Sequence, residues 1–219
     1  MELNAVEQSV LDAMIERRPD LEICVPQLLE LHAALVTCYD QEGTFFTCGN
    51  GGSNADALHI VGELNKSFER VRTLDPGLVE RLQPLPFGPE LAENLEAGLR
   101  GHALGFNGAL KTAVENDLPL RDIAFAQELN ALVRPQDIVM GISTSGNADN
   151  CLMALSVAKA HGATPVSLTG PKGGKMAAFA DIAIKAPGDS TKVIQESHIV
   201  LWHTTCCLIE AHYYPIMRS

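Results

Sequence analysis

Two stretches of this 219-residue chain, DIVMGIS at 137–143 and TPVSLTG at 164–170, are apolar along most of their length instead of at every second position. A strand of that composition has to be covered on both faces, and helices packed on each side of a sheet provide the cover. Strand-type and helix-type segments alternate at least four times, a pattern that joins parallel strands through helical crossovers. The expected fold class is therefore α/β, a doubly wound parallel sheet flanked by helices.

Helices are expected over 5–17 and 25–39, where apolar residues recur at three- and four-residue spacing and Pro19 and Asp20 separate the runs. A buried strand over 44–48 runs into a glycine turn, and a helix from about 53 to 70 leaves it. Residues 73–100 carry Pro76, Pro84, Pro86 and Pro89 among charged residues, and read as a surface excursion with one short helix near 90–99. Then follow a weak strand at 102–106, helices over 108–115 and 119–133, and a strand at 137–142. A helix over 149–161, a strand at 165–169, a short helix at 174–178, a strand at 182–186 and a long helix over 191–213 complete the chain. A chain of this length suits one domain with one sizeable core.

The formal charge of −11 excludes a protein that holds nucleic acid by neutralising many phosphates. Any phosphate has to be bound locally, and backbone amides at a helix start supply that attraction without a basic surface. The six cysteines include no C-x-x-C pair and read as reduced, buried residues. The start, MELNAVEQSV, is acidic and polar, and no apolar run approaches the ~18 residues of a membrane span. A cytoplasmic protein without membrane or nucleic-acid partners is expected.

In a parallel sheet, ligands bind beyond the carboxyl ends of the strands. The loops CGNGGS, GISTSGN and SLTGPKGGK should therefore cluster. In GISTSGN, Ser143, Thr144 and Ser145 offer hydroxyls, while Gly146 and Asn147 permit a tight turn that points amides inward. Each such loop reads either as a phosphate cradle without a lysine or as an ordinary helix N-cap; two of them in one sheet favour phosphate. Neither a Walker loop nor a dinucleotide fingerprint is present.

His59 and Glu63 stand at i and i+4, so both leave one face of the helix that starts at the glycine turn. Such a pair serves as proton donor and acceptor, as metal ligands, or simply as a helix-surface pair. In the last helix, Gln195, His198 and His203 interrupt an apolar surface; a histidine in that setting is a satisfied core residue as readily as a catalyst. Gln195 and His203, eight residues apart, can line one wall only at different heights. Glu196 and Glu210 are expected to face solvent.

Taken together, CGNGGS-x-x-DA-x-H-x-x-x-E, GISTSGN-x-x-N, LTG-x-x-GGKMA and IQE-x-H-x-x-x-x-H resemble the sugar isomerase (SIS) domain proteins, and among them the phosphoheptose isomerases. The likeness covers about 44–214. It implies five parallel strands, a homotetramer with active sites where subunits meet, and a bound zinc ion. It also implies one SIS domain over 1–219, with N-terminal helices in 1–40 and an insertion at 73–100. By this resemblance His59, Glu63, Gln195 and His203 fall on metal and catalytic positions. Ser53, Ser143, Thr144 and Ser145 fall on phosphate-binding ones, Asn50, Gly51 and Gly52 line the sugar, and Asn116 and Asp117 match a further substrate-contacting pair.

The implied activity is ketose to aldose isomerisation of a sugar phosphate, sedoheptulose 7-phosphate above all, through an enediol. Glu63 would move the carbon-bound proton and His203 would act as partner acid and base. Two positions depart from the pattern: Ala148 replaces a serine after GISTSGN, and Lys192 stands where many members carry an acid. Two other readings come from the same family. Its non-catalytic sugar-phosphate-sensing or partner-binding regulators lack a histidine at the place of His203, and an aminosugar-phosphate isomerase or deaminase would use no zinc.

Overall fold

Five parallel strands form one sheet in the computed structural model, which describes residues 2–218. They are β1 (Phe45–Gly49), β2 (Gly101–Ala103), β3 (Ile138–Ser143), β4 (Thr164–Thr169) and β5 (Ile182–Lys185), in the spatial order β2-β1-β3-β4-β5. The register sets Phe45 beside Ile138, Cys48 beside Gly141 and Ser143 beside Thr169. As the apolar runs require, both faces are buried. Phe45, Ile138, Met140, Ile142, Val166 and Leu168 pack into one core, and Phe46, Cys48 and Val139 into the other. The expected α/β class and the parallel sheet are both observed.

Helices α1 (Ala5–Arg17), α2 (Val25–Asp40), α3 (Gly52–Asn65) and α10 (Thr191–Tyr213) cover the first face. Helices α7 (Ala124–Leu132) and α8 (Asp149–Ala160) cover the second. Between these elements lie α4 (Pro76–Leu82), α5 (Gly88–Asn94), α6 (Gly108–Asp117) and α9 (Gly174–Phe179). A reciprocal cap starts α1: Asn4 Oδ1 accepts from the Val6 and Glu7 amides, and Glu7 Oε2 accepts from the Asn4 amide.

Several expectations need correction. The segment Pro19–Asp40 does reach the length and mean hydropathy (1.4) of a membrane span. Here it is split into a 3₁₀ turn and α2, and its Leu21, Leu28, Leu31 and Leu35 are buried in the core beside the sheet. The excursion at 73–100 holds two short helices instead of one. Asp75 caps α4 by accepting from the Leu78 amide at 3.0 Å, prolines occupy the first turns of both helices, and Phe87 turns the chain at φ +58° between them. Residues 119–123 are not helical, because Asp122 takes a left-handed φ of +63° and α7 starts only after it.

The helix leaving the glycine turn ends at Asn65, not near Arg70. The reason is Glu210, expected at the surface but fully buried. Its carboxylate accepts from the Phe68 and Glu69 amides, each at 2.8 Å, and so draws that backbone out of the helical ladder. Arg72 Nε donates to the same carboxylate at 2.8 Å, and the rest of the guanidinium donates to the Glu63 and Leu64 carbonyls. One buried ion pair thus closes the end of α3 and fastens it to α10. Glu196, by contrast, is exposed as expected.

Candidate active site

Strand order reverses between β1, whose sequence successor β2 lies on one side, and β3 on the other. At such a switch point the loops leaving the strand ends part and open a crevice. The chain leaves β1 through Asn50 and Gly51, the latter at φ +56°, a conformation that only glycine adopts freely. It leaves β3 through Thr144 to Ala148. The side-chain amides of Asn50 and Asn150 bind each other in both directions at 2.9 and 2.8 Å, which joins these two loops. The third loop is tied in by backbone: the Gly170 amide donates to Thr144 at 3.1 Å and the Met176 amide to Gly146 at 2.9 Å. The three loops cluster as the sequence predicts.

Ser143 Oγ and Ser145 Oγ lie 3.4 Å apart, and the Asn147 amide donates to Ser145 Oγ at 3.2 Å. A cleft of about 460 Å³ opens on this turn, lined by Thr144, Ser145, Asn147, Lys172, Asp189 and Thr191 among others. Lys172 corrects the expectation of a cradle without a lysine. It comes from the loop after β4, where the GPKGGK run was the available signal. Ser53 is buried at the start of α3, its amide bonded to the Asn50 carbonyl at 3.1 Å.

On α3, His59 Nε2 and Glu63 Oε1 are 2.9 Å apart, and His203 of α10 brings a third donor, all three ligand atoms within 4.8 Å of one another. The helical spacing of His59 and Glu63 is legible in the chain; the approach of His203 depends on α3 packing against α10. Glu63 is largely covered, with a side-chain exposure of 15%, whereas that of His59 is 53%. The His203 ring stacks on Phe68 at 5.3 Å between centroids and meets the edge of His59 at 5.4 Å, while Trp202 lies 4.7 Å from His59. Burial, and then the neighbouring His59, hold the His203 imidazole below the ordinary histidine range. At neutral pH it is therefore uncharged, able to accept a proton or bind a cation.

Two imidazole nitrogens and one carboxylate oxygen converging at this range form a donor set that suits zinc or a similar divalent metal. Gln195 stands elsewhere: a Cβ on Gly52 would lie 2.5 Å from its Nε2, so its amide is at the glycine turn, about two helical turns from His59. Asn116 and Asp117 end α6, which packs on α7; their side chains are exposed and bind each other at 2.8 Å, apart from the contacts that build the cradle. Lys192 is exposed at the start of α10. His203 opens into a separate cavity of about 190 Å³ with Arg17, Phe68 and Glu69. The cradle and His203 thus face different openings of the chain.

The sequence does not point to Phe68, Trp202 or Arg72, and it places Glu210 at the surface. The first two flank His203, and Arg72 with Glu210 holds α3 to α10. No local pattern marks Phe68 or Arg72, which lie in an irregular segment.

Comparison with known proteins agrees with this geometry. A family model described as the SIS domain matches residues 121–206. The chain is 34% identical over 209 residues to the phosphoheptose isomerase of Rhodospirillum rubrum, covering 95% of this chain and 96% of that one. It is 38% identical over 175 residues to the phosphoheptose isomerase of Aneurinibacillus thermoaerophilus, covering 80% and 76%. Among solved structures, the phosphoheptose isomerase of Neisseria gonorrhoeae superimposes with a TM-score of 0.69 at 30% identity, over 92% of this chain and 96% of that one. With the switch-point cradle and the His-Glu-His group in hand, these likenesses establish that the chain belongs to the phosphoheptose isomerase family.

Proposed function

We propose that this chain is a phosphoheptose isomerase that interconverts sedoheptulose 7-phosphate and D-glycero-D-manno-heptose 7-phosphate, working as one SIS domain in the cytoplasm. The observation that carries the reading is the convergence of His59 and Glu63, on the helix that leaves the glycine turn, with His203 of α10.

Ser53, Ser143, Thr144 and Ser145 would hold the phosphate through hydroxyls and turn amides, a local grip that an acidic protein needs. Asn50, Gly51, Gly52 and Gln195 would line the sugar, since the glycines let substrate approach the backbone. Glu63 is the group for the carbon-bound proton. It takes a proton from the carbon next to the ketose carbonyl, an enediol forms, and the proton returns to the former carbonyl carbon. With Oε1 turned to His59, Oε2 is left for that proton. His203, neutral at pH 7, would carry the hydroxyl proton between the two oxygens.

His59, Glu63 and His203 would hold zinc, whereas Gln195, the fourth residue that the family resemblance implies, sits at the glycine turn and does not join them within one chain; when bound, the metal supplies positive charge to the oxygen on which negative charge develops. A homotetramer would complete the site. The exposed His59, the two separate openings and the surface pair Asn116 and Asp117 are the features that a neighbouring subunit would cover.

The test is an isomerisation assay with sedoheptulose 7-phosphate on metal-stripped protein, with and without zinc. Zinc-dependent formation of the aldoheptose phosphate is expected. Turnover of other ketose phosphates in its place would reassign the substrate, and no turnover with any of them would remove the proposal.

A further inference from the structure

A second group of metal-type ligands lies away from the first, where the N-terminal helices meet α10. Glu7 of α1, His32 of α2 and His212 of α10 bring a carboxylate oxygen and two imidazole nitrogens within 4.8 Å of one another. Glu7 Oε1 is 3.0 Å from His32 Nε2 and 2.7 Å from His212 Nδ1. Glu7 and His32 are buried, whereas the His212 side chain is 29% exposed and leaves one side of the group open to solvent. The other Glu7 oxygen accepts from the Asn4 amide at 2.6 Å, so the α1 cap orients the carboxyl group.

The open side at His212 leaves room for a water as further ligand.

We propose that Glu7 Oε1, His32 Nε2 and His212 Nδ1 form a second divalent-metal site, of the zinc class, that ties α1 and α2 to α10. The site is distinct from the His59, Glu63 and His203 group. His203 and His212 are nine residues apart, half a turn out of phase and about 13 Å along the helix, so α10 carries a ligand on each of two opposite faces. The role is structural, because the three ligands come from three helices.

The test removes the first site. In a His59→Ala/His203→Ala variant, metal analysis after zinc loading and dialysis is expected to give one zinc per chain, and zinc is expected to raise the melting temperature. Adding His212→Gln should abolish both effects. Glu7→Gln, which keeps the shape of the side chain, should do the same, with circular dichroism confirming that each variant is folded. Cobalt(II) in the same background should give the visible absorption of a four-coordinate site, lost with His212→Gln. A His59→Ala/His203→Ala variant that binds no zinc and melts at the same temperature with and without it would leave only a hydrogen-bonded network and overturn the proposal. So would one zinc per chain retained in both the His212→Gln and the Glu7→Gln backgrounds.

Discussion

The Arg72 guanidinium meets the Glu210 carboxylate at 2.8 Å with neither side chain exposed, and the same arginine closes the carbonyl end of α3. Helices α3 and α10, which carry His59, Glu63 and His203, are thereby locked at one level. Breaking a buried pair leaves an uncompensated charge, at a cost of about 3–5 kcal/mol. Glu210→Gln is expected to lose about that much in urea unfolding. A loss under about 1 kcal/mol would mean that the pair does not anchor the two helices.

Glu63→Gln keeps the length and packing of the side chain but removes the proposed base. The expected outcome is a fall in kcat of roughly 10²–10⁴-fold, with little change in melting temperature. Incorporation of solvent deuterium at the carbon next to the carbonyl should fall with it. Deuterium uptake at the normal rate would assign the carbon-bound proton to another group.

His198 is fully buried, neither ring nitrogen makes a well-formed hydrogen bond among the described residues, and burial, opposed only by the nearby Thr169 backbone, pushes its pKa down to about 4. The unfolded chain takes up this proton near pH 6.5 while the folded chain resists it down to about 4. Stability from this residue is therefore complete above pH 6.5 and is lost as pH falls toward 4, by about 3 kcal/mol. Unfolding free energies measured between pH 7 and 4 should show this slope, and His198→Met should flatten it. A slope unchanged in the variant would assign the acid sensitivity to other groups.

Asn150 holds the Asn50 amide through two reciprocal hydrogen bonds at the edge of the crevice. Each is exposed and adds little to folding, yet together they orient a proposed sugar contact. Asn150→Ala is expected to lower kcat/KM by roughly tenfold, corresponding to about 1.4 kcal/mol, while the melting temperature stays within about 1–2 °C. Steady-state kinetics beside a thermal melt separates the two effects. An unchanged kcat/KM would show that Asn50 needs no support.

The sheet, its parallel sense and the clustering of three loops were legible because their causes are local. The run DIVMGIS has no polar face to show to water, and a glycine turn followed by a helix start states its geometry within ten residues. The spacing of His59 and Glu63 was legible for the same reason. Where local pattern misled, a distant partner had intervened. Glu210 reads as a solvent residue until Arg72, 138 residues away, neutralises it, and that contact in turn ends α3 early. Phe68 against His203 was silent because its segment has no period, whereas Lys172 stood in the GPKGGK run, whose meeting with the Ser143 turn only the fold shows.

By itself, then, the amino-acid sequence determined the α/β class and the strand-end loops, which follow from hydrophobic period and turn chemistry. Only the tertiary structure decided which histidines and carboxylates meet. Packing of α3 on α10 brings His203 to His59 and Glu63, and packing of α1 and α2 on α10 gathers Glu7, His32 and His212, because the distance between side chains on different helices is set by the core between them.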